Sequence, residues 1–255
     1  MILLSLFFFV TAFLYACVGF GGGSTYNALL ILAGTDYKII PVVSLLCNII
    51  VVSGGVWHFS REGHIRIQRI LPWIAFSIPA SFAGGLIPVS EVFFIGLLGF
   101  ILLCSGIGLL WPERDQNISI RSSDRTSNNK LLEPLLGTFL GILAGITGIG
   151  GGIFLAPILH FLRWGSANQI AGACALFILV NSLAGITGQI IKMDSASTLA
   201  LLPPYWLLLM AVLTGGQMGS GLGATRIKPA VIKKMTALLI LYVAARLIIK
   251  SLGML

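Results

Sequence analysis

The chain has 255 residues, of which 57% are hydrophobic and only 9% are charged, and its formal net charge is +8. A soluble domain of this length carries about 25% charged residues, so the composition excludes a water-exposed globular surface and indicates a lipid environment. The positive charge does not indicate nucleic acid, because the basic residues lie between apolar runs, where they set membrane topology. We therefore expect an all-α integral membrane protein with the lipid bilayer as its surroundings and no nucleic-acid partner.

Runs without Asp, Glu, Lys or Arg define the predicted membrane segments, and each reaches the roughly 20 residues that a spanning helix needs. Two predicted helices are half-length pieces that, at about 1.5 Å per residue, reach only about halfway through the bilayer. In chain order, the predicted helices cover 2–18, 24–34, 39–58, 71–88, 92–111, 132–147, 153–163, 167–191, 198–222 and 229–250.

A polar stretch at 113–130, reading ERDQNISIRSSDRTSNNK, divides the chain into two comparable parts. It has no apolar periodicity, which is typical of a solvated linker. We predict an N-terminal membrane repeat over 1–112, a linker over 113–131 and a C-terminal membrane repeat over 132–255. The two parts share a glycine motif, because GFGGG at 19–23 matches GIGGG at 148–152 and a short apolar stretch follows each copy.

The distribution of basic residues favours one topology. If each glycine-interrupted segment crossed the membrane, the 16 Lys and Arg residues would divide about 10 to 6 between the two sides, whereas re-entrant hairpins give about 12 to 4. Because positive residues concentrate in cytoplasmic loops, we expect a glycine-broken helix hairpin in each repeat. The two repeats would then be inverted relative to each other, with both termini facing outward.

Each triple glycine predicts a break in a membrane helix. Glycine is about 1 kcal/mol less favourable than Ala in a helix interior, and irregular backbone inside a membrane must be buried in protein or line a water-filled cavity. The half-length helix after each break would present free N–H groups and the positive end of its dipole, which suits an anion. A matched pair of such breaks is typical of a transporter binding site. The alternative is that these glycines only allow close helix packing.

The candidate binding residues lie at the breaks and on nearby helices. The glycine amides would bind the substrate, and polar side chains would add donors, although Ser24 has an alternative role as a helix cap. For the two asparagines within the long helices, interhelical hydrogen bonding is the alternative interpretation. The predicted substrate-binding set is Gly21, Gly22, Gly23, Ser24, Thr25, Asn27, Asn48, Thr147, Gly150, Gly151, Gly152 and Asn181.

The sequence predicts no enzyme, cofactor or metal site. The four cysteines all lie inside apolar runs without Cys-x-x-Cys spacing, and no His, Cys, Asp or Glu cluster has ligand or catalytic spacing. The acidic residues Asp36, Glu91 and Asp194 lie at predicted helix ends. This placement argues against a buried carboxylate relay and agrees with an anion held by backbone dipoles.

Three segments carry a family resemblance. GFGGGSTYNALLILAG at 19–34 and GITGIGGGIFLAPIL at 145–159 resemble the paired glycine motifs of the TauE/SafE family of sulfite and organosulfonate exporters. The segment at 216–248 is similar to the family's C-terminal pattern of small residues, a basic loop and a last helix. The first copy departs from the family pattern, since Asn27 stands where an apolar residue followed by Pro is common, whereas the second copy has Ala156 and Pro157.

The resemblance implies a secondary transporter in the inner (plasma) membrane that carries small sulfur-containing anions such as sulfite, thiosulfate or sulfonates like sulfoacetate. Transport would proceed by alternating access, with a proton or sodium ion as the coupling ion. Two other functions remain open at this point. One is a passive anion channel that uses the same dipole site, and the other is a non-transporting scaffold subunit of a sulfur-metabolism complex.

Overall fold

The computed structural model describes residues 2–110, 131–162, 164–193 and 203–223, together with positions 241, 244, 245, 248 and 249. This part of the chain contains helices and no strand, which confirms the all-α prediction for it. The helices are α1 (Ile2–Ala16), α2 (Gly23–Leu32), α3 (Ile40–Arg61), α4 (Ile67–Leu86), α5 (Glu91–Leu110), α6 (Leu132–Thr147), α7 (Gly152–Phe161), α8 (Ala167–Lys192) and α9 (Trp206–Gly223), with a 3₁₀ turn at Pro203–Tyr205 before α9.

The helix bounds agree with the predicted ones to within a few residues from α1 to α8. The largest difference there is at α4, which begins at Ile67 rather than at residue 71. The predicted linker over 113–131, apart from Leu131, lies outside the described residues, and so do most of the predicted helix 229–250 and the first residues predicted for α9. The division into an N-terminal and a C-terminal repeat and the inversion of the repeats stay predictions.

The length and composition of the helices fit a membrane. Among the described residues, Ile40–Arg61, Glu91–Gly108 and Ala167–Lys192 are long and apolar enough to span a bilayer, and Ile2–Ala16, Leu132–Thr147 and Trp206–Leu222 are shorter apolar helices. Large apolar side chains also face outward, for example Leu135 and Phe139 on α6, which are 66% and 58% exposed. A surface of this kind is stable against lipid tails and would aggregate in water.

Helices from one part of the chain pack against helices from the other part. Helix α4 packs against α6 and α8, while α9 packs against α1 and α3. Helices α3 and α8 contact each other in the middle of this arrangement, and the half-length helices α2 and α7 pack against α3 and α8 respectively. The two breaks are therefore carried by a core in which α3 and α8 are the central elements.

Small residues allow these helices to approach each other closely, as is common in membranes. Three glycines spaced four residues apart on α6 face the backbone of α4, and two with the same spacing on α9 face the backbone of α1. A Cβ added at any of these positions would overlap a carbonyl oxygen of the neighbouring helix. The contacts pair Gly137 with Trp73, Gly141 with Ser77, Gly145 with Ser81, Gly215 with Phe9 and Gly219 with Phe13. For these five glycines, close packing is the explanation that the structure supports.

We expect Gly141→Ala to destabilise the protein by about 1–3 kcal/mol, because the new methyl group would force α6 away from the Ser77 carbonyl. Thermal unfolding of the purified protein in detergent measures the effect. Gly55→Ala on α3 is the matched control, since a Cβ at Gly55 would meet the Cβ of Ala175 at an ordinary distance of 3.7 Å. Equal melting temperatures for the two variants would contradict the proposed packing role.

Candidate functional site

Both triple-glycine motifs interrupt a helix, as predicted. Helix α1 ends at Ala16 and α2 begins at Gly23, while α6 ends at Thr147 and α7 begins at Gly152. We call the connections over 17–22 and 148–151 the first and second break. The residue before each half-length helix, Gly22 or Gly151, has a φ of +92° or +81°. Residues with a side chain rarely adopt this left-handed backbone conformation, so both positions favour glycine.

The two half-length helices begin with the same backbone arrangement. The N–H groups of Thr25 and Tyr26 donate to the Gly22 carbonyl, each at 3.0 Å, and α7 repeats this arrangement with the Gly151 carbonyl at 3.1 and 3.2 Å. The N–H groups of the first two residues of each half-length helix, at 23–24 and 152–153, have no acceptor within the part of the chain that the structure describes. Unpaired N–H groups at the start of a helix can bind an anion.

Ser24 does not cap α2. The N-cap is Gly22, and no side chain makes a capping hydrogen bond there. The chain reaches its left-handed turn one residue before the helix, so Ser24 becomes the second helical residue instead of the residue that precedes the helix. Its hydroxyl, which is almost fully buried, is therefore left for other contacts.

Two asparagines of the first part of the chain donate hydrogen bonds to backbone carbonyls at the second break. Asn27 on α2 donates its side-chain N–H to the Thr147 carbonyl. Asn48 on α3 donates to the Ile149 carbonyl at 3.0 Å and, at 3.4 Å, to that of Gly148. Both side chains are fully buried. These bonds satisfy consecutive carbonyls that the end of α6 leaves without helical partners.

Asn48 also lies against the first break. A Cβ on Gly21 or Gly23 would overlap its side-chain amide, so glycine is needed at both positions to admit this side chain. On the opposite side, the Nδ2 atom of Asn48 would lie 3.2 Å from a Cβ built on Gly150. Asn48 therefore occupies the point where the two breaks meet, and the prediction that the breaks lie together is supported by contacts on both sides.

A small pocket lies at the first break. Its polar wall comes from the first part of the chain, and its apolar wall comes largely from the second part. The lining residues are Tyr15, Phe20, Gly21, Gly22, Gly23, Ser24, Ile149, Ile153 and Ile178. Four of the predicted site residues, at 21–24, thus line one recess, together with isoleucines that the sequence alone did not single out.

Tyr15 is the polar residue of this pocket that the sequence analysis missed. Its hydroxyl lies 2.8 Å from the Thr25 hydroxyl and 3.5 Å from that of Ser24. The sequence does contain a signal for Tyr15. It lies in an apolar run four residues before Gly19, and a buried tyrosine hydroxyl usually finds a hydrogen-bond partner. The pocket therefore brings the hydroxyls of Tyr15 and Ser24 beside the free N–H groups of α2. Thr25, another predicted site residue, contacts the Tyr15 hydroxyl and is not part of the pocket lining.

Thr147 and Asn181 do not direct their side-chain donors at the pocket. The Thr147 hydroxyl donates to the Leu143 carbonyl at 2.6 Å, and the Asn181 amide donates to the Phe177 carbonyl at 3.0 Å. Each bond lies within the residue's own helix, four residues back. The glycines at 150–152 also lie outside the pocket lining, since Ile178 packs closely against Gly150 and Gly152.

The polar groups of the site are neutral amides and hydroxyls. Among the described residues, no group of three or more His, Cys, Asp or Glu side chains is placed to hold a metal ion. Within the described ranges, no Lys or Arg lines the pocket. The described groups would bind an anion in this pocket through N–H and O–H donors and the α2 dipole.

An all-helical, lipid-exposed protein in which two broken helices meet beside a polar pocket has the architecture of a membrane transporter. Comparison with protein families supports this class, because the family model described as Sulfite exporter TauE/SafE matches residues 4–247. The chain belongs to this family.

Related proteins carry names that agree with a membrane transporter and not with an enzyme. The chain is 30% identical over 246 residues to Probable membrane transporter protein y4hK of Sinorhizobium fredii, covering 96% of this chain and 97% of that protein. It is 28% identical over 192 residues to Probable membrane transporter protein YjnA of Bacillus subtilis, covering 68% and 73%. Sulfite exporter TauE/SafE family protein 2 of Arabidopsis thaliana is 31% identical over 84 residues, 32% of this chain and 18% of that protein. No solved structure matches the chain.

We expect Asn48→Ala to destabilise the protein by about 1–3 kcal/mol, because the buried carbonyls of Gly148 and Ile149 would lose their donor. Chemical or thermal unfolding in detergent tests this. Asn168→Ala is the control, since Asn168 is an exposed asparagine at the start of α8 and surface changes of this kind stay within about 0.5 kcal/mol. If the two variants unfolded alike, Asn48 would not be holding the breaks together.

Proposed function

We propose that this protein is a secondary transporter that moves small sulfur-containing anions, such as sulfite, thiosulfate and sulfonates like sulfoacetate, across the inner (plasma) membrane. The observation that carries the proposal is the pair of glycine breaks that meet at Asn48, with free N–H groups of Gly23 and Ser24 at a pocket between them. Membership of the TauE/SafE family supports the substrate class.

The pocket suits a small oxyanion for electrostatic reasons. The oxygens of such an ion accept several hydrogen bonds at once, and the first turn of α2 offers backbone N–H groups next to the hydroxyls of Ser24 and Tyr15. Hydrogen bonds to a charged group are worth about 1.5–3 kcal/mol each, which is about twice the value of neutral ones. The buried surroundings strengthen these interactions by lowering the local dielectric constant.

Alternating access is the mechanism that we propose for transport. A site at a meeting point of two broken helices lies near the middle of the membrane, so that tilting of packed helix groups opens it to one side at a time. A proton or sodium gradient would drive the cycle. In this proposal the protein crosses the membrane several times, its two repeats are inverted, and each broken segment re-enters as a hairpin, so that the basic loops face the cytoplasm.

Liposome flux measurements test the function. We expect the purified protein to move sulfite, thiosulfate or sulfoacetate across proteoliposome membranes, with rates that change when a proton or sodium gradient is imposed. Flux that ignores both gradients would indicate a passive anion channel. No flux of any of these anions, from protein that is folded and inserted, would contradict the proposal and favour a scaffold role.

Substitutions at the two glycines with positive φ test the placement of the site. We expect Gly22→Leu and Gly151→Leu to abolish flux while the protein still inserts, because each forces a side chain into a left-handed conformation, at about 1–2 kcal/mol, and into buried neighbours. Gly34→Leu is the matched control. Its φ is +75°, but the space around it is open, so it reports backbone strain alone. Normal flux in both break variants would rule out the assigned site.

A further inference from the structure

The described helices pack as two groups, and each group combines helices from both parts of the chain. The first group consists of α1, α2, α3 and α9, and the second consists of α4, α6, α7 and α8. Helix α4 therefore packs with helices of the second part of the chain, and α9 packs with helices of the first part. The two groups meet where α3 contacts α8, and we call this helix–helix contact the seam.

Inside the second group, backbone packs against backbone. A Cβ on Gly85 of α4 would overlap the Gly185 carbonyl oxygen of α8. Ser81 of α4 also donates to the Asn181 carbonyl of α8 at 2.8 Å. The glycines of α6 described above bring α6 equally close to α4. Separating α4 from α6 and α8 would therefore open surfaces that are packed at the closest possible range, with loss of their dispersion contacts.

The first group is held together in a similar way. The glycines of α9 lie against the backbone of α1, and a Cβ on Gly216 of α9 would lie 3.1 Å from the Cα atom of Val51 on α3. Ser44 on α3 donates to the Gly23 carbonyl at the start of α2, at 3.0 Å. Helix α3 is thereby joined to α2 and α9 on its own side of the seam.

At the seam, glycines of one helix face side chains of the other helix. A Cβ on Gly55 of α3 would lie 3.7 Å from the Cβ of Ala175 on α8, which is an ordinary van der Waals distance. Nearer the end of α3, a Cβ on Gly172 of α8 would lie 3.2 Å from the Cβ of Phe59. Side chains can adjust their rotamers when packed helices shift, whereas two closely packed backbones cannot adjust in this way.

The pocket and the hydrogen bonds beside it lie across the boundary between the groups. The polar wall of the pocket belongs to the first group, and its isoleucine wall belongs to the second. Asn27 and Asn48 lie in the first group, while the carbonyls at 147–149 that accept their hydrogen bonds lie in the second. Backbone also meets backbone here, since a Cβ on Gly19 would overlap the backbone of Ala171 on α8. Opening the pocket along this boundary therefore has to break the bonds of both asparagines.

We infer that the pocket opens by movement of these two mixed groups against each other at the seam, and not by movement of the N-terminal repeat against the C-terminal repeat. In this inference, which rests on the proposed transport function, each group keeps its internal backbone contacts throughout the cycle. The bonds of Asn27 and Asn48 hold the groups together while the pocket is closed, and they break as it opens. Movement of the repeats would instead pull α4 from α6 and α8, and α9 from α1.

Two disulfides distinguish these motions, in a parent protein whose four native cysteines are replaced by Ala. Gly55→Cys with Ala175→Cys bridges the seam, where the Cβ separation of 3.7 Å lies within the range of about 3.5–4.5 Å that disulfides need. Ser81→Cys with Gly185→Cys bridges α4 and α8 inside the second group, where a Cβ on Gly185 would lie 3.0 Å from the Ser81 Oγ atom. Both pairs join the two parts of the chain, but only the first pair crosses the seam.

The experiment measures flux of sulfite, thiosulfate and sulfoacetate in proteoliposomes, for each double variant in its reduced state, after oxidation with copper phenanthroline and after a second reduction. Because sulfite can cleave disulfides, maleimide labelling of free thiols counts the cross-linked fraction after each assay. We expect the seam disulfide to abolish flux and reduction to restore it. The disulfide inside the second group should leave flux equal to that of the same variant in its reduced state, because α4 and α8 move together.

The outcomes separate this inference from the proposed function. If both disulfides abolish flux, or only the one inside the second group does, the inference is overturned while the transport function stands. Unchanged flux through protein that carries the seam disulfide overturns it as well. If the parent moves none of the three anions, the proposed function fails and the inference falls with it. If the seam variant does not insert, Phe59→Cys with Gly172→Cys replaces it and is judged by the same results.

Discussion

The hydrogen bonds from Asn27 and Asn48 to the carbonyls of the second break are the interactions on which the rest of this structure depends. A helix that ends inside a bilayer leaves carbonyl groups that water cannot reach, and each unsatisfied group costs several kcal/mol. Two neutral amides from the first part of the chain satisfy the carbonyls of residues 147–149. Without them, these carbonyls at the end of α6 would lose their side-chain donors.

The same bonds bring the site together. Asn48 on α3 also lies against Gly21 and Gly23 of the first glycine motif. The side chain that donates to the carbonyls of the second break therefore also sets the distance between the two breaks. The pocket then forms between the start of α2 and the isoleucines within and after the second break. In the proposed function, the described part of this site would bind a charged solute through neutral groups and the placement of backbone ends.

Much of this architecture could be predicted from the sequence, for identifiable reasons. The helices follow from long runs without charge, and the breaks follow from glycine triplets that no helix in lipid tolerates without compensation. The partners of individual side chains could not be predicted, because they depend on contacts between residues about 100 or more positions apart, such as Asn48 with Ile149. The partners of Thr147 and Asn181 could not be predicted for another reason. Both side chains donate to a carbonyl four residues back in their own helix, and this local bond competes with bonds to other groups.

The glycine contacts between α6 and α4 also constrain how these helices move. Each glycine of α6 leaves room for a carbonyl group of α4, and these close contacts recur every four residues, at 137, 141 and 145. Four residues of α-helix correspond to about 6 Å along the axis. If α6 slid along α4, it would have to move by that whole distance before its glycines faced α4 carbonyls again. At intermediate positions, bulkier side chains would meet the α4 backbone. The close contacts therefore favour movement of α4 and α6 together as one rigid unit. The same reasoning applies to α1 and α9, where the glycines at 215 and 219 repeat the spacing.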